Sequence, residues 1–205
     1  MAIIHGTRLP DKIKPGLISP GVAGGAPGDG ADTIFAFGGN DLVRGGRGND
    51  HANLGAGDDR YVWAAGDGND TINGGVGNDL LFGEAGDDAI NGGDGDDDLV
   101  GGTEADTLNG GNGNDELSGE AGNDVMKGGA GDDVYLKADP GDSIFEAANE
   151  GTDLITSGFD IDLVAAGAVE NATLQGTGDT SAIGNSLNNI LTGNNNGANL
   201  LFGAG

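Results

Sequence analysis

Residues 65–136 read AGDGNDTIN GGVGNDLLF GEAGDDAIN GGDGDDDLV GGTEADTLN GGNGNDELS GEAGNDVMK GGAGDDVYL, eight blocks of nine built on one plan. The same plan begins at Pro27 as PGDGADTIF AFGGNDLVR GGRGNDHAN LGAGDDRYV, and the pair Trp63 and Ala64 separates the two runs. Aspartate holds the sixth position of all twelve blocks: Asp32, Asp41, Asp50, Asp59, Asp70, Asp79, Asp88, Asp97, Asp106, Asp115, Asp124 and Asp133. Glycine holds the fourth position in eleven, Glu104 being the exception. The eighth is apolar or aromatic throughout, from Ile34 and Val43 to Met126 and Tyr135. Fixed chemistry at a fixed period marks a solenoid, in which each repeat buries its apolar face only against its neighbours.

These blocks resemble GGxGxDxUx, the nonapeptide of the repeats-in-toxin (RTX) family, over a little more than half of the chain. The resemblance implies an all-β chain, a parallel β-roll (β-solenoid) of nonapeptide half-coils with calcium in the turns. Elementary geometry leads to the same picture. Glycines at positions one, two and four allow positive φ and a tight turn that exposes main-chain carbonyls. The three residues that follow make a minimal strand with the central apolar side chain inward. Two half-coils complete a coil, so residues eighteen apart stack at about 4.8 Å. The aspartates then form two columns, one from Asp32 to Asp124 and one from Asp41 to Asp133.

Carboxylates stacked this closely repel one another, and a cation between successive coils removes that cost. Calcium fits, because it accepts 6 to 8 carboxylate and carbonyl oxygens in flexible geometry. Magnesium demands a tighter octahedron, and a chain without cysteine and with two histidines offers little to zinc. Residues 27–136 hold 24 acids and four bases, a local charge of −20 that about ten calcium ions would neutralise. A metal-free solenoid with aspartate turns is the plainer reading, but it gives no reason for the acid to keep one position. Permanent disorder gives none for the apolar eighth position.

The family resemblance also implies a ligand set. One coil supplies its carboxylate with the carbonyls of positions one and three: Gly45 and Arg47, Gly74 and Val76, Gly83 and Ala85, Gly92 and Asp94, Gly101 and Thr103, Gly110 and Asn112, Gly119 and Ala121. The next supplies its carboxylate with carbonyls of positions two and four: Gly48, Gly66, Gly68, Gly75, Gly77, Gly86, Gly93, Gly95, Gly111, Gly113, Gly122, Gly129 and Gly131. Glu84 and Glu120, at second positions, should matter little if only their carbonyls act. Glu104 is expected to distort its turn and to weaken the pairing of Asp88 with Asp106.

Around the repeat, residues 1–26 read as an irregular N-terminal segment, 137–181 as a β-rich capping or linking segment, and 182–205 as a degenerate second roll. Asn189 and Asn199 stand in the last where aspartate would be, so weak or absent sites are expected there. The chain ends on what reads as the start of another nonapeptide, which predicts a longer protein. His5 and His51 read as surface residues, and Trp63 with Ala64 as a bulge or a break between rolls.

The net charge of −26 excludes a nucleic-acid binder, and no apolar run reaches the length of a membrane span. No HExxH, GxSxG or P-loop is present, so no enzyme is expected. Residues 1–26 lack the apolar stretch of a secretory signal peptide. RTX resemblance implies instead a secreted or cell-surface bacterial protein exported unfolded by a type I secretion apparatus, with calcium outside the cell driving folding. Two alternatives stand beside it: an accessory module of an exported protease, lipase or polysaccharide epimerase, and a spacer or tile of a calcium-dependent adhesin or surface layer. Self-association on calcium addition would mark the second.

Overall fold

In the computed structural model, which describes residues 2–14, 17–18, 26–62, 68–137 and 139–203, the nonapeptides wind into a stack of coils that forms two parallel sheets. Alternate blocks feed alternate sheets. Strands His51–Ala56, Thr71–Val76, Ala89–Asp94, Thr107–Asn112 and Val125–Ala130 lie side by side in an eight-stranded sheet. Strands Arg60–Tyr61, Leu80–Ala85, Asp98–Thr103, Glu116–Ala121 and Val134–Lys137 do so in an eleven-stranded one. The eighth-position side chains from both sheets meet between them, and all twelve are at most 3% exposed. Apart from the first-position Ala36 and Leu54, the core of this region is one apolar residue per half-coil, so burial alone gives it little stability.

The strands are longer than the three residues expected. Most central ones have six, because pairing resumes beyond the turn glycine: Ala89, Ile90 and Asn91 face Thr107, Leu108 and Asn109, and then Gly93 and Asp94 face Gly111 and Asn112. The ladder skips only the first-position glycine. That residue differs from the expectation in a second way, since positive φ occurs at positions two and four but not at Gly74, Gly83, Gly92, Gly101 or Gly110. Glycine is needed there for space instead. A Cβ on Gly92 would stand 2.2 Å from Asp97 Oδ2 and 2.7 Å from the carbonyl oxygen of Gly110.

The glutamates at second positions also carry a cost that the sequence reading passed over. Gly75, Gly93, Gly102 and Gly111 have φ of 122–125°, whereas Glu84 and Glu120 sit at 78° and 68°, in the left-handed helical region. A side chain there costs about 1–2 kcal/mol, offset in part by the extra freedom a glycine gives the unfolded chain. Glu120→Gly is therefore expected to raise stability in saturating calcium by about 1 kcal/mol or less, seen as a higher midpoint of thermal unfolding. A lower midpoint would contradict this assignment of strain.

Glu104 bends its turn as expected, with φ at 77° against 102–137° for the fourth-position glycines of positive φ. At Gly122, one coil on, a Cβ would meet the Glu104 carbonyl oxygen at 1.7 Å. The rung between Asp88 and Asp106 nonetheless persists, as described below.

The solenoid extends past both ends of the glycine-rich blocks. Residues read from the sequence as irregular supply Ile3–His5, parallel to Thr33–Phe35, and Lys12–Lys14, parallel to Leu42–Val43. Ile4 and Ile13, nine apart and both fully buried, do the work of two eighth positions without glycine turns. Downstream, Leu154–Ser157, Asn171–Leu174 and Ile190–Thr192 carry the eleven-stranded sheet onward in parallel register. The eight-stranded sheet stops at Ser143–Ile144. Helix Leu163–Ala166 follows, capped by Asp162, whose side chain accepts from the Val164 N–H at 2.9 Å. Strands Ile161–Asp162, Ser181–Ile183 and Leu200–Phe202 form a third, short sheet.

Trp63, Ala64 and Gly66 lie outside the described residues. The two-residue insertion leaves the flanking register intact, since Asn53 faces Asn73 and Tyr61 faces Leu81. His5 and His51 are exposed; His5 stacks on Phe35 at 5.4 Å, and His51 is bonded to Asn53 at 3.1 Å.

Candidate metal centre

The twelve sixth-position aspartates stand in two columns along the two turn edges, each at most 4% exposed. Every rung has the same form: the main-chain N–H of one aspartate donates to Oδ1 of the aspartate one coil on. On one edge Asp70 donates to Asp88 at 2.7 Å, Asp88 to Asp106 at 2.8 Å and Asp106 to Asp124 at 2.9 Å. On the other Asp59 donates to Asp79, Asp79 to Asp97 and Asp97 to Asp115, all at 2.8 Å. Fifth-position residues form an outer ladder of opposite sense, in which the Asp96 N–H donates to Asn78 Oδ1 and the Asn114 N–H to Asp96 Oδ1. Asn and Asp both supply that oxygen, which is why the fifth position accepts either.

One oxygen of each carboxylate is thus committed to the fold, and the other faces inward. Oδ2 of Asp41, Asp59, Asp79, Asp97, Asp106, Asp115, Asp124 and Asp133 is buried without a hydrogen-bond partner. Asp70 differs, because Tyr61 donates its hydroxyl to Asp70 Oδ2 at 3.1 Å. A buried carboxylate oxygen with no donor is among the costliest groups a fold can contain. Burial pushes Asp41, Asp79 and Asp106 up to about 7, and Asp59, Asp97, Asp115, Asp124 and Asp133 up to about 6, with neighbouring carboxylates adding to the rise. At neutral pH, then, these columns call for positive charge.

The turn backbone lies against the same oxygens. The first-position residues Gly45, Gly74, Gly83, Gly92, Gly101, Gly110 and Gly119 all lie against the Oδ2 of the aspartate five residues on, at 2.1–2.5 Å from where a Cβ would be. Beside Gly74, Gly83, Gly92 and Gly110 the first-position carbonyl of the next coil also approaches, at 2.7 Å from that point. Third-position carbonyls of Val76, Asp94 and Asn112 each accept one N–H, from Gly57, Gly77 and Gly95, which leaves a second lone pair on each oxygen. Arg47, Ala85, Thr103 and Ala121 occupy third positions on the other edge. Second- and fourth-position glycines make the left-handed turn: Gly48, Gly75, Gly77, Gly86, Gly93, Gly95, Gly111, Gly113, Gly129 and Gly131 have positive φ, whereas Gly68 and Gly122 do not.

Three aspartates of the columns escaped the sequence reading. The Asp11 N–H donates to Asp41 Oδ1, the Asp124 N–H to Asp142 Oδ1 at 3.2 Å and the Asp133 N–H to Asp153 Oδ1 at 3.0 Å. Each precedes a buried isoleucine by two residues, as Asp11 does Ile13, Asp142 does Ile144 and Asp153 does Ile155. The D-x-U half of the nonapeptide, searched without its glycines, would have found all three.

Unpartnered anionic oxygens and convergent carbonyls, repeated coil after coil and lacking any nitrogen or sulfur donor, fit a hard cation of calcium's size and coordination habit. The molecule is in class a metal-binding β-solenoid. The family described as RTX calcium-binding nonapeptide repeat (4 copies) matches residues 28–61, 65–99 and 100–135, just over half of the chain. The chain belongs to that family, and these residues are calcium-binding repeats. No curated protein matches the chain. Among the described residues no helix is long and apolar enough to cross a membrane.

Proposed function

We propose that this chain is a calcium-responsive structural module of a secreted bacterial protein, unfolded where calcium is scarce and folded where it is plentiful. The observation that carries the reading is the buried Oδ2 of Asp41, Asp59, Asp79, Asp97, Asp106, Asp115, Asp124 and Asp133, which has no hydrogen-bond partner. At neutral pH such columns oppose folding until a cation enters, and a core one residue deep per half-coil offers little to offset them. About ten ions, one in each gap between stacked aspartates, are proposed to bind through Oδ2 and the carbonyls that converge on it. The role is structural rather than catalytic, since every recurring acid is used by the repeat.

Family membership supports an extracellular setting, because RTX repeat proteins are typically extracellular. Export as an unfolded chain through a type I apparatus fits a module that stays expanded at cytosolic calcium. The test is the radius of gyration of this chain by small-angle X-ray scattering, at about 0.1 μM and about 1 mM free calcium, levels that separate intracellular sensors from extracellular modules. An expanded coil at the first and a compact rod at the second is the expected result. A rod at both would remove the link between calcium and export.

A further inference from the structure

Asp133 is the sixth residue of the last nonapeptide, and two carboxylates from beyond the repeat, Glu146 and Asp153, converge on it. One oxygen from each lies within 4.8 Å of the others, and the three residues are 1%, 8% and 1% exposed. Asp133 Oδ1 accepts from the Asp115 N–H at 2.8 Å, while Oδ2 is buried and has no hydrogen-bond partner. That Oδ2 faces the cluster: the point where a Gly128 Cβ would stand is 2.1 Å from it and 2.6 Å from the Tyr135 hydroxyl, which donates to Glu146 Oε2. The Gly128 N–H fixes the hydroxyl in turn at 2.6 Å. Asp153 is held by the Asp133 N–H at 3.0 Å. The charged neighbours that raise Asp133 and Asp153, besides each other, are Asp115, Asp132, Glu150 and Glu170, all of them acidic.

We propose that Asp133, Glu146 and Asp153 together bind one calcium-sized divalent cation at the C-terminal end of the roll, a site that the nonapeptide does not supply. Only Asp133 belongs to the repeat; the other two ligands lie past residue 135, where the family match ends. The donors argue for a hard cation: carboxylate oxygens without nitrogen or sulfur suit calcium, which accepts irregular geometry where magnesium demands a tight octahedron. Three carboxylates satisfy the charge, and the Tyr135 hydroxyl positions Glu146 without coordinating. Glu146 is also tied to the segment after the repeat, since its N–H donates to the Ala166 carbonyl at 3.1 Å and its carbonyl accepts from the Ala168 N–H at 3.1 Å. Occupancy would therefore lock the helix Leu163–Ala166 and its flanks onto the end of the roll.

The test counts calcium ions bound to the full chain by equilibrium dialysis, in the wild type, Glu146→Gln and Asp153→Asn. Asp153→Asn keeps the oxygen that accepts from the Asp133 N–H, and Glu146→Gln keeps one of the two that accept, Oε2 from the Tyr135 hydroxyl or Oε1 from the Ala147 N–H. Loss of one ion in each variant, with the calcium-saturated circular dichroism spectrum retained, is the expected result; an unchanged count and affinity in both would overturn the proposal. Should the variants not fold, crystals of the wild type grown in calcium decide it by anomalous scattering. A peak among the three carboxylates supports the site, and peaks in the repeat turns with none here refute it. A chain that binds no calcium anywhere would refute the proposed function as well, which separates the two failures.

Discussion

Asp97→Ala is expected to destabilise the calcium-saturated roll by about 4 kcal/mol, while Asp97→Asn is expected to destabilise it less and to stabilise the calcium-free chain. Asp97 is 3% exposed at the middle of its column. Its Oδ1 accepts from the Asp79 N–H at 2.8 Å, and its Oδ2 has no donor. Alanine removes the acceptor and leaves a buried N–H unpaired, which costs about 1–3 kcal/mol. It also removes a ligand from the gaps above and below, each worth about 1.4 kcal/mol when calcium is at ten times its dissociation constant. Asparagine keeps the acceptor and deletes only the charge, so it loses calcium affinity and gains relief from Asp79 and Asp115. Denaturant midpoints in calcium and in chelator read both signs. Equal destabilisation by asparagine in the two conditions would show that Asp97 serves the backbone alone.

Acid is expected to substitute for calcium. In the metal-free roll Asp41, Asp79 and Asp106 are raised to about 7, and Asp59, Asp97, Asp115, Asp124 and Asp133 to about 6, from 3.8 in an unfolded chain, chiefly by burial. The folded state binds protons more tightly than the unfolded one, so stability rises as pH falls. That contribution is complete below the unfolded value near 4 and is lost as pH climbs through 6 to 7. In chelator the chain should therefore gain β structure between pH 7.5 and pH 5. Protons and calcium compete for the same oxygens, so the calcium midpoint should rise at least about tenfold from pH 7.5 to pH 5.5. A calcium midpoint indifferent to pH, or less β structure in acid, would mean that these carboxylates are not the groups that limit folding.

The same residues explain which parts of the molecule can be read without coordinates. The eighth-position core and the two aspartate columns are legible because each repeats the same contact one coil on, so the period alone places Leu99 between Leu81 and Leu117. Asp11, Asp142 and Asp153 are hidden because their coils turn without the glycine pattern, and only the spacing to the next isoleucine betrays them. Glu146 carries no sequence signal at all; a loop brings it to Asp133 and Asp153. Glu104 alters the backbone of its own turn, through which the hydrogen-bonded rung between Asp88 and Asp106 does not pass. The rung joins sixth positions, and the Asp88 N–H still reaches Asp106 Oδ1 at 2.8 Å. The left-handed glutamates were missed for a related reason, since the carbonyl was weighed and the φ angle was not.

A calcium titration of this chain at pH 7.5, followed by far-ultraviolet circular dichroism with magnesium as control and a chelator to reverse it, tests the account most directly. Coil in chelator, a cooperative and reversible gain of β structure at about 0.1–1 mM calcium, and no response to magnesium are the results expected of columns that fold only around a cation of calcium's size. A β-rich spectrum in chelator that calcium leaves unchanged would contradict it, and the aspartate columns would then be turn formers in a solenoid that needs no metal.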